Sequence, residues 1–133
     1  MTPHEALDAL ARQTGIALAF NEQGLCRMRF DGRFVVDLET SDDETAIFLY
    51  SRLSSLPPGE RGAELLTRMM RAHCLGRETG RAAFGLDGDD VLLFERLDVA
   101  AGPENLLYTE LEAFMDAVAH WSGVLDGLEG GAP

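Results

Sequence analysis

The stretch AFGLDGDDVLLFERL, which runs from Ala83 to Leu97, holds three aspartates around a glycine between two apolar runs. Aspartate and glycine tolerate the backbone angles of tight turns, so the segment 87–90 is typical of a turn between two strands. Successive side chains of a strand point to opposite faces, and every residue from 91 to 94 is apolar. The stretch therefore predicts a hairpin with two apolar faces, the second of which something must cover.

The hydrophobic pattern before this hairpin predicts a helix and three strands. Thr2 is a suitable N-cap, with Glu5 completing a capping box and Gly15 ending the helix. Alternating apolar residues predict strands over 25–30 and 33–39, and a doubly apolar strand over 45–53. The turn at 31–32 raises a conflict of register. A two-residue turn would pair Phe30 with Arg33 and place the two apolar sets on opposite faces. We therefore expect a three-residue loop or a bulge.

Two further helices complete the predicted order. The breaker at 56–59 precedes a helix from about Glu60 to Leu75, whose apolar residues span half the circumference, more than one sheet needs. A long helix beginning near Pro103 carries an apolar seam at steps of three and four. The predicted fold class is α+β in the order α-β-β-β-α-β-β-α, with an antiparallel twisted sheet flanked by helices. We expect one domain over 1–126 and a flexible tail over 127–133. The seam consists of Leu107, Leu111, Phe114, Val118, Trp121 and Leu125.

Composition narrows the class of partner. The 133-residue chain has a net charge of −12, and all eleven of its basic residues are arginines. This balance opposes binding to nucleic acid and to anionic membranes, because both require neutralisation of phosphate charge. Since the chain has no long apolar run and no signal-peptide pattern, we expect no membrane span and a cytoplasmic location. Cys26 and Cys74 lie far apart and are expected to be buried, reduced thiols.

No motif in the sequence indicates catalysis. The aspartates at 87–90 lack the six or more oxygen ligands of a calcium site, so they are interpreted as a solvated turn. His4, His73 and His120 belong to no metal or nucleophile motif. Glycine-rich phosphate loops and nucleophile elbows are also missing. We therefore predict a protein that is not an enzyme, with no catalytic residues, no metal site and no cofactor.

The order and spacing of four stretches resemble the class I type III secretion chaperones, the Tir-chaperone-like family. These stretches cover nearly the whole chain. The resemblance implies a bacterial, cytoplasmic homodimer that binds the N-terminal region of a secreted effector in extended form and keeps it competent for export. The alternative is a regulatory protein of the same fold that sequesters a transcriptional or secretion regulator. The stretches are GLCRMRFDGRFVVDLE, LYSRLSSLPPGERGAELLTRMMRAHCLG, GRAAFGLDGDDVLLFERL and ELEAFMDAVAHWSGVL.

The resemblance also implies where partners bind. The dimer would be built around the second helix and the fourth strand, which would cover the second apolar face of the hairpin. Effector grooves would lie near the first helix and first three strands, although ordinary core residues have the same composition. The predicted dimer residues are Leu65, Leu66, Met69, Met70, His73, Ala83 and Gly85. The predicted effector-binding residues are Leu7, Leu10, Leu25, Val35, Ile47 and Leu49.

Overall fold

The computed structural model describes residues 1–129 and has the element order predicted from the sequence. A short 3₁₀ turn, Cys74–Gly76, follows the second helix. The last helix continues to Glu129, so it includes the first three residues of the predicted tail, and residues 130–133 lie outside the described part of the chain. The elements are α1 (Pro3–Thr14), β1 (Leu25–Phe30), β2 (Phe34–Thr40), β3 (Ala46–Ser55), α2 (Gly59–His73), β4 (Ala83–Asp87), β5 (Asp90–Asp98) and α3 (Leu106–Glu129).

The five strands form one antiparallel sheet in the order β1-β2-β3-β5-β4. In the first hairpin Phe30 pairs with Phe34, and Asp31, Gly32 and Arg33 form the loop between them. Asp31 and Gly32 both have positive φ angles, 53° and 66°. The three-residue loop predicted from the register conflict is therefore confirmed. It keeps the apolar residues of β1 and β2 on the same face.

One face of the sheet, here called the covered face, packs against α1 and α3 in the main hydrophobic core. β2 contributes Val36 and Leu38, and β5 contributes Leu93 and Leu97. All six residues of the predicted α3 seam are buried, which confirms that this helix faces the sheet along its length. The opposite face, here called the open face, carries the alternate residues of each strand, because side chains alternate along a strand.

The N-terminal helix has the predicted cap. The backbone N–H of Glu5 donates to Thr2 Oγ1 at 3.1 Å, and the Thr2 N–H donates to Glu5 Oε1 at 2.9 Å. Gly15 ends the helix in the left-handed conformation with a φ of 74°. The capping box satisfies backbone donors that the first turn of a helix leaves free. It fixes the point at which α1 begins to pack on the sheet.

The second helix belongs to a separate, smaller cluster. Leu65 and Met69 pack with Val91 of β5 and Leu125 of α3. At the start of this helix Gly62 is required, because a Cβ there would collide with the Pro57 carbonyl oxygen. The α-helix ends at His73, two residues before the predicted end, since Leu75 has a left-handed φ of 57°.

Candidate protein-binding site

The open face carries a row of aromatic and aliphatic side chains that no helix covers. Phe48 and Tyr50 of β3 lie on it at half-buried positions. On the neighbouring strand, Leu92 is half-buried and Phe94 is 39% exposed. Tyr50 pairs directly with Phe94, so their side chains lie side by side across the two strands. Apolar side chains gathered on an exposed sheet face mark a surface that can bind another chain.

Ion pairs cross the open face between these apolar residues. Arg27 donates to both oxygens of Asp37, at 2.8 and 3.0 Å, and this hydrogen bonding raises the pKa of the Arg27 guanidinium. Arg52 lies 2.8 Å from Asp90, and Arg96 stacks 5.5 Å above the centre of the Phe48 ring. Exposed pairs of this kind add little stability because water and salt screen them. They give the face a defined pattern of charge.

An acidic cleft of about 830 Å³ lies at one end of the sheet. Glu39 on β2 and Phe48 form part of its wall, together with the loop between β2 and β3. In that loop Asp43 accepts hydrogen bonds from the Ser41 and Thr45 hydroxyls, both at 2.7 Å. These bonds lower the pKa of the Asp43 carboxyl, and its charged form stabilises the loop through them.

The structure divides the six predicted effector-binding residues between the two faces. Leu25 and Val35 lie on the open face at half-buried positions, where a partner can contact them, and their role stays a prediction. The other four are fully enclosed in the core, because they lie on α1 or on the covered side of β3. The expectation that these four line a groove is therefore corrected, and they support the sheet from beneath. The four are Leu7, Leu10, Ile47 and Leu49.

The predicted dimer residues divide in the same way. Leu65 and Met69 are buried within the chain, so they contribute to its own core and present no surface to a second subunit. Leu66 and Met70 lie on the outer side of α2, and Met70 is 69% exposed. His73 is half-buried beside Phe84, with 6.1 Å between the ring centres.

On β4, the predicted dimer residues Ala83 and Gly85 are half-buried on the open face. Gly85 lies under the ring of Phe94, since a Cβ there would approach the ring to 3.2 Å.

The outer side of α2 is extended by Cys74, which is exposed, and by Leu75, which is 85% exposed. The expectation of two buried thiols is thus correct for Cys26 and wrong for Cys74, because Cys74 lies four residues after the exposed Met70 and so falls on the same outer side. Burial raises the pKa of the Cys26 thiol.

The remaining acidic and histidine side chains do not assemble into a metal site: within residues 1–129 no group of three or more metal-ligating side chains is close enough to hold an ion. The segment 87–90 forms the turn between β4 and β5, with Gly88 at a φ of 60°.

One acidic side chain is buried in the core and has a raised pKa. Glu95, on the covered side of β5, is 5% exposed, and burial with the neighbouring Glu110 raises its pKa to about 7.

Sequence reasoning did not select Phe48, Tyr50, Leu92 or Phe94 as partner-binding residues. β3 is apolar at both alternating sets of positions, so periodicity alone does not show which set faces outward. Alternation along β2 and β3 identifies the outward-facing residues once the pairing of the two strands is known. Val35, selected from the sequence, lies on the open face of β2, and Asp37 on the same face pairs with Tyr50. The set of β3 residues on the open face therefore includes Tyr50 and its alternate neighbour Phe48.

The comparisons with known proteins identify the class. The sequence profile of the Tir chaperone protein (CesT) family matches residues 5–122. The chain therefore belongs to the Tir chaperone family. Its fold is that of the type III secretion chaperones, as the element order predicted.

Three similar proteins illustrate this relationship. The Chlamydia pneumoniae protein CPj0713/CpB0740 is 31% identical over 83 residues, which are 62% of this chain and 62% of that protein. The Yersinia pestis type III secretion chaperone SycH, solved with a stable fragment of YscM2, superposes with a TM-score of 0.70 at 21% identity, covering 88% of this chain and 97% of SycH. One chain of the ExoU–SpcU complex from the type III secretion system of Pseudomonas aeruginosa superposes with a TM-score of 0.71 at 14% identity. The match covers 92% of this chain and 95% of that chain.

A search of the described helices for membrane spans found none that is both long enough and apolar enough.

Proposed function

We propose that this protein binds the N-terminal region of a type III secreted effector in extended form and keeps that region soluble and competent for export. The observation that carries the proposal is the open face of the sheet in a chain of this chaperone family. Helices cover most of the other face, whereas Phe48, Val35 and Leu25 remain accessible on this one. The protein acts in the cytoplasm by binding alone, without catalysis.

The physical basis of the proposed activity is burial of apolar surface without folding of the cargo. An effector segment that lacks its own core loses conformational entropy when it becomes ordered on the chaperone. A broad contact surface offsets this loss, because each apolar anchor that leaves water contributes favourably. The row of half-buried side chains on the open face supplies such anchors along several strands.

We also propose that two copies of the chain associate through the outer side of α2 and the β4–β5 edge. Leu66 and Met70 of α2 and Cys74, which follows directly after the helix, are spaced four residues apart and form one apolar strip. Leu86 at the β4 edge is 49% exposed. A second copy covers such a strip with the same strip of its own in a symmetric dimer. The β1–β3 part of the open face then remains free for cargo.

The cargo proposal is tested by co-expression with N-terminal segments of candidate effectors, followed by purification and calorimetric titration. Phe48→Asp and Val35→Asp place a charge on the proposed contact surface, so they should reduce affinity at least tenfold while leaving the melting temperature nearly unchanged. Glu112→Arg, on the exposed side of α3, is the matched control and should leave binding unchanged.

Wild-type affinity in both well-folded open-face variants would remove this surface from the binding site. Capture of a transcriptional or secretion regulator, with no effector segment bound, would instead favour the regulatory alternative.

A further inference from the structure

On the β1–β3 part of the open face, some charged side chains form ion pairs and others do not. The unpaired charges indicate which charges a bound segment would carry. Most cations there already have carboxylate partners, as in the pairs of Arg27 with Asp37 and Arg52 with Asp90. Arg29 on β1 is different. It is exposed, and among the side chains that the structure describes, those of residues 1–126, no carboxylate lies within 4.0 Å of its guanidinium. Its charge is available to a partner.

The opposite end of the same surface has an excess of negative charge. Glu39 is half-buried on β2, beside Phe48, and is likewise without an ion-pair partner in the described part of the chain. The loop that follows adds Asp42 and Glu44 to the wall of the same cleft. Burial of the Tyr50 hydroxyl, together with the negative charges of Glu39 and Asp37, raises the pKa of that hydroxyl. The negative field therefore reaches the centre of the surface.

The spacing of the two free charges matches an extended chain. Arg29 pairs with Val35, and Glu39 lies four residues further along β2. At about 3.3 Å per residue, the two positions are roughly 13 Å apart along the strand. This separation exceeds the screening length of about 8 Å at physiological salt, so each end attracts its own counter-charge. Between the two ends Tyr50 presents an aromatic ring, and Asp37 is neutralised by Arg27.

From this arrangement we infer that the open face selects an extended segment with a basic residue over Glu39, an apolar residue over Tyr50 and an acidic residue over Arg29. In an extended chain such residues occupy alternate positions on one side, and the two charges are four residues apart. The inference rests on the proposed cargo-binding function and specifies the chemistry of the cargo. Complementary charge at both ends fixes the orientation and register of a segment whose apolar contacts alone leave it free to slide.

The experiment uses three short labelled peptides with the same alternating apolar residues, measured by fluorescence anisotropy on the full chain. One peptide carries Arg and Glu four positions apart, one carries Arg at both positions, and one carries Glu at both. The peptide with mixed charge should bind roughly tenfold tighter than either of the others, and its advantage should shrink as salt is raised.

Charge-reversed variants identify the residues responsible. Arg29→Glu should weaken binding of the mixed peptide about tenfold and strengthen binding of the Arg peptide. Glu39→Arg should weaken binding of the mixed peptide to a similar extent and strengthen binding of the Glu peptide. The double variant should bind the mixed peptide again, in the opposite orientation. Arg12→Glu makes the same charge change as Arg29→Glu at an exposed position on α1 and should change none of these affinities. Thermal melting of each variant shows whether it is folded.

Equal affinity for the three peptides, or an Arg29→Glu variant that behaves like Arg12→Glu, would overturn the inference. If Phe48→Asp still abolishes binding of all three peptides in that case, the cargo surface stands and only the charge order is wrong. Peptide binding that survives Phe48→Asp would overturn both the charge order and the proposed surface.

Discussion

The two faces of the sheet are formed by the same strands, yet only one of them is enclosed by helices. On β3 the covered face receives Ile47 and Leu49, which are fully enclosed by α1 and α3. The open face receives Phe48 and Tyr50, which keep part of their surface in water. The two pairs are offset by one residue. This comparison shows that hydrophobicity indicates which residues belong to a sheet, whereas the position of the helices decides which of them are core and which remain accessible.

The largest contrast is expected between neighbouring residues on β3. Ile47→Asp places a charge in the enclosed core and should cost about 4 kcal/mol or more. Phe48→Asp places the same charge on the open face and should cost less than about 1.5 kcal/mol, because water still solvates it. Urea denaturation followed by circular dichroism measures both. Similar losses for the two variants would show that the open face is not free in the folded protein.

The same contrast should appear on α2, where the two sides of one helix are compared. Met70→Asp leaves the protomer folded but places a charge in the proposed dimer interface, which should weaken association by roughly 3 kcal/mol or more. Light scattering should then give the 14.5 kDa mass of one chain, against about twice that for the wild type. Met69→Asp, one residue earlier, should unfold the protomer instead. A wild-type protein that is monomeric at micromolar concentration would contradict the proposed dimer.

The covered face contains one group that should make stability depend on pH. The pKa of Glu95 is raised to about 7, above its unfolded value near 4.5, because it is buried against Glu110. The folded state therefore binds the proton more tightly than the unfolded state does. Its contribution is fully present below pH 4.5 and is lost as the pH rises to about 7. A pKa raised from 4.5 to about 7 corresponds to roughly 3 kcal/mol.

Glu95→Gln imitates the protonated acid, so the variant should match the wild type near pH 4.5 and be more stable than it at pH 8. Denaturation curves at several pH values give the difference between the two proteins. Glu112→Gln, an exposed acid on the same helix as Glu110, should show no such trend. A difference between Glu95→Gln and wild type that stays constant from pH 4.5 to 8 would rule out this role for Glu95.

The smallest effect is expected from an ion pair on the open face. Arg27 binds Asp37 with two hydrogen bonds, but its side chain is 67% exposed. Arg27→Gln should therefore cost little stability, and the cost should fall further as salt is added. Chemical denaturation at low and high salt tests this. A larger loss that is insensitive to salt would mean that the open face is less solvated than its exposure indicates.

Local patterns in the sequence predicted the framework well. The capping box of Thr2 and Glu5, the α3 seam and the three-residue loop at 31–33 are all found in the structure. Each depends on residues only a few positions apart, whose periodicity and backbone preferences act locally. The family resemblance also rested on the order of these local elements. The order of elements, the chaperone class and the expected partner class were therefore available before the structure.

The binding surfaces were less accessible to the same reasoning. Leu10 and Ile47 were selected as groove residues and lie in the core, whereas Phe48 and Phe94 lie on the open face and were not selected. Both sets have the composition of core and of groove alike, so no local pattern distinguishes them.

What the sequence by itself determined is the set of elements, their order and the residues that alternate or repeat along each one. The tertiary structure decided which of two apolar faces is buried. On β3 that depended on the side to which α1 and α3 attach, and on α2 it depended on Leu65 and Met69 packing against Val91, which lies far away in the chain. The reason is physical: periodicity arises within one element, whereas burial is a property of contacts between elements that the chain brings together only when it folds.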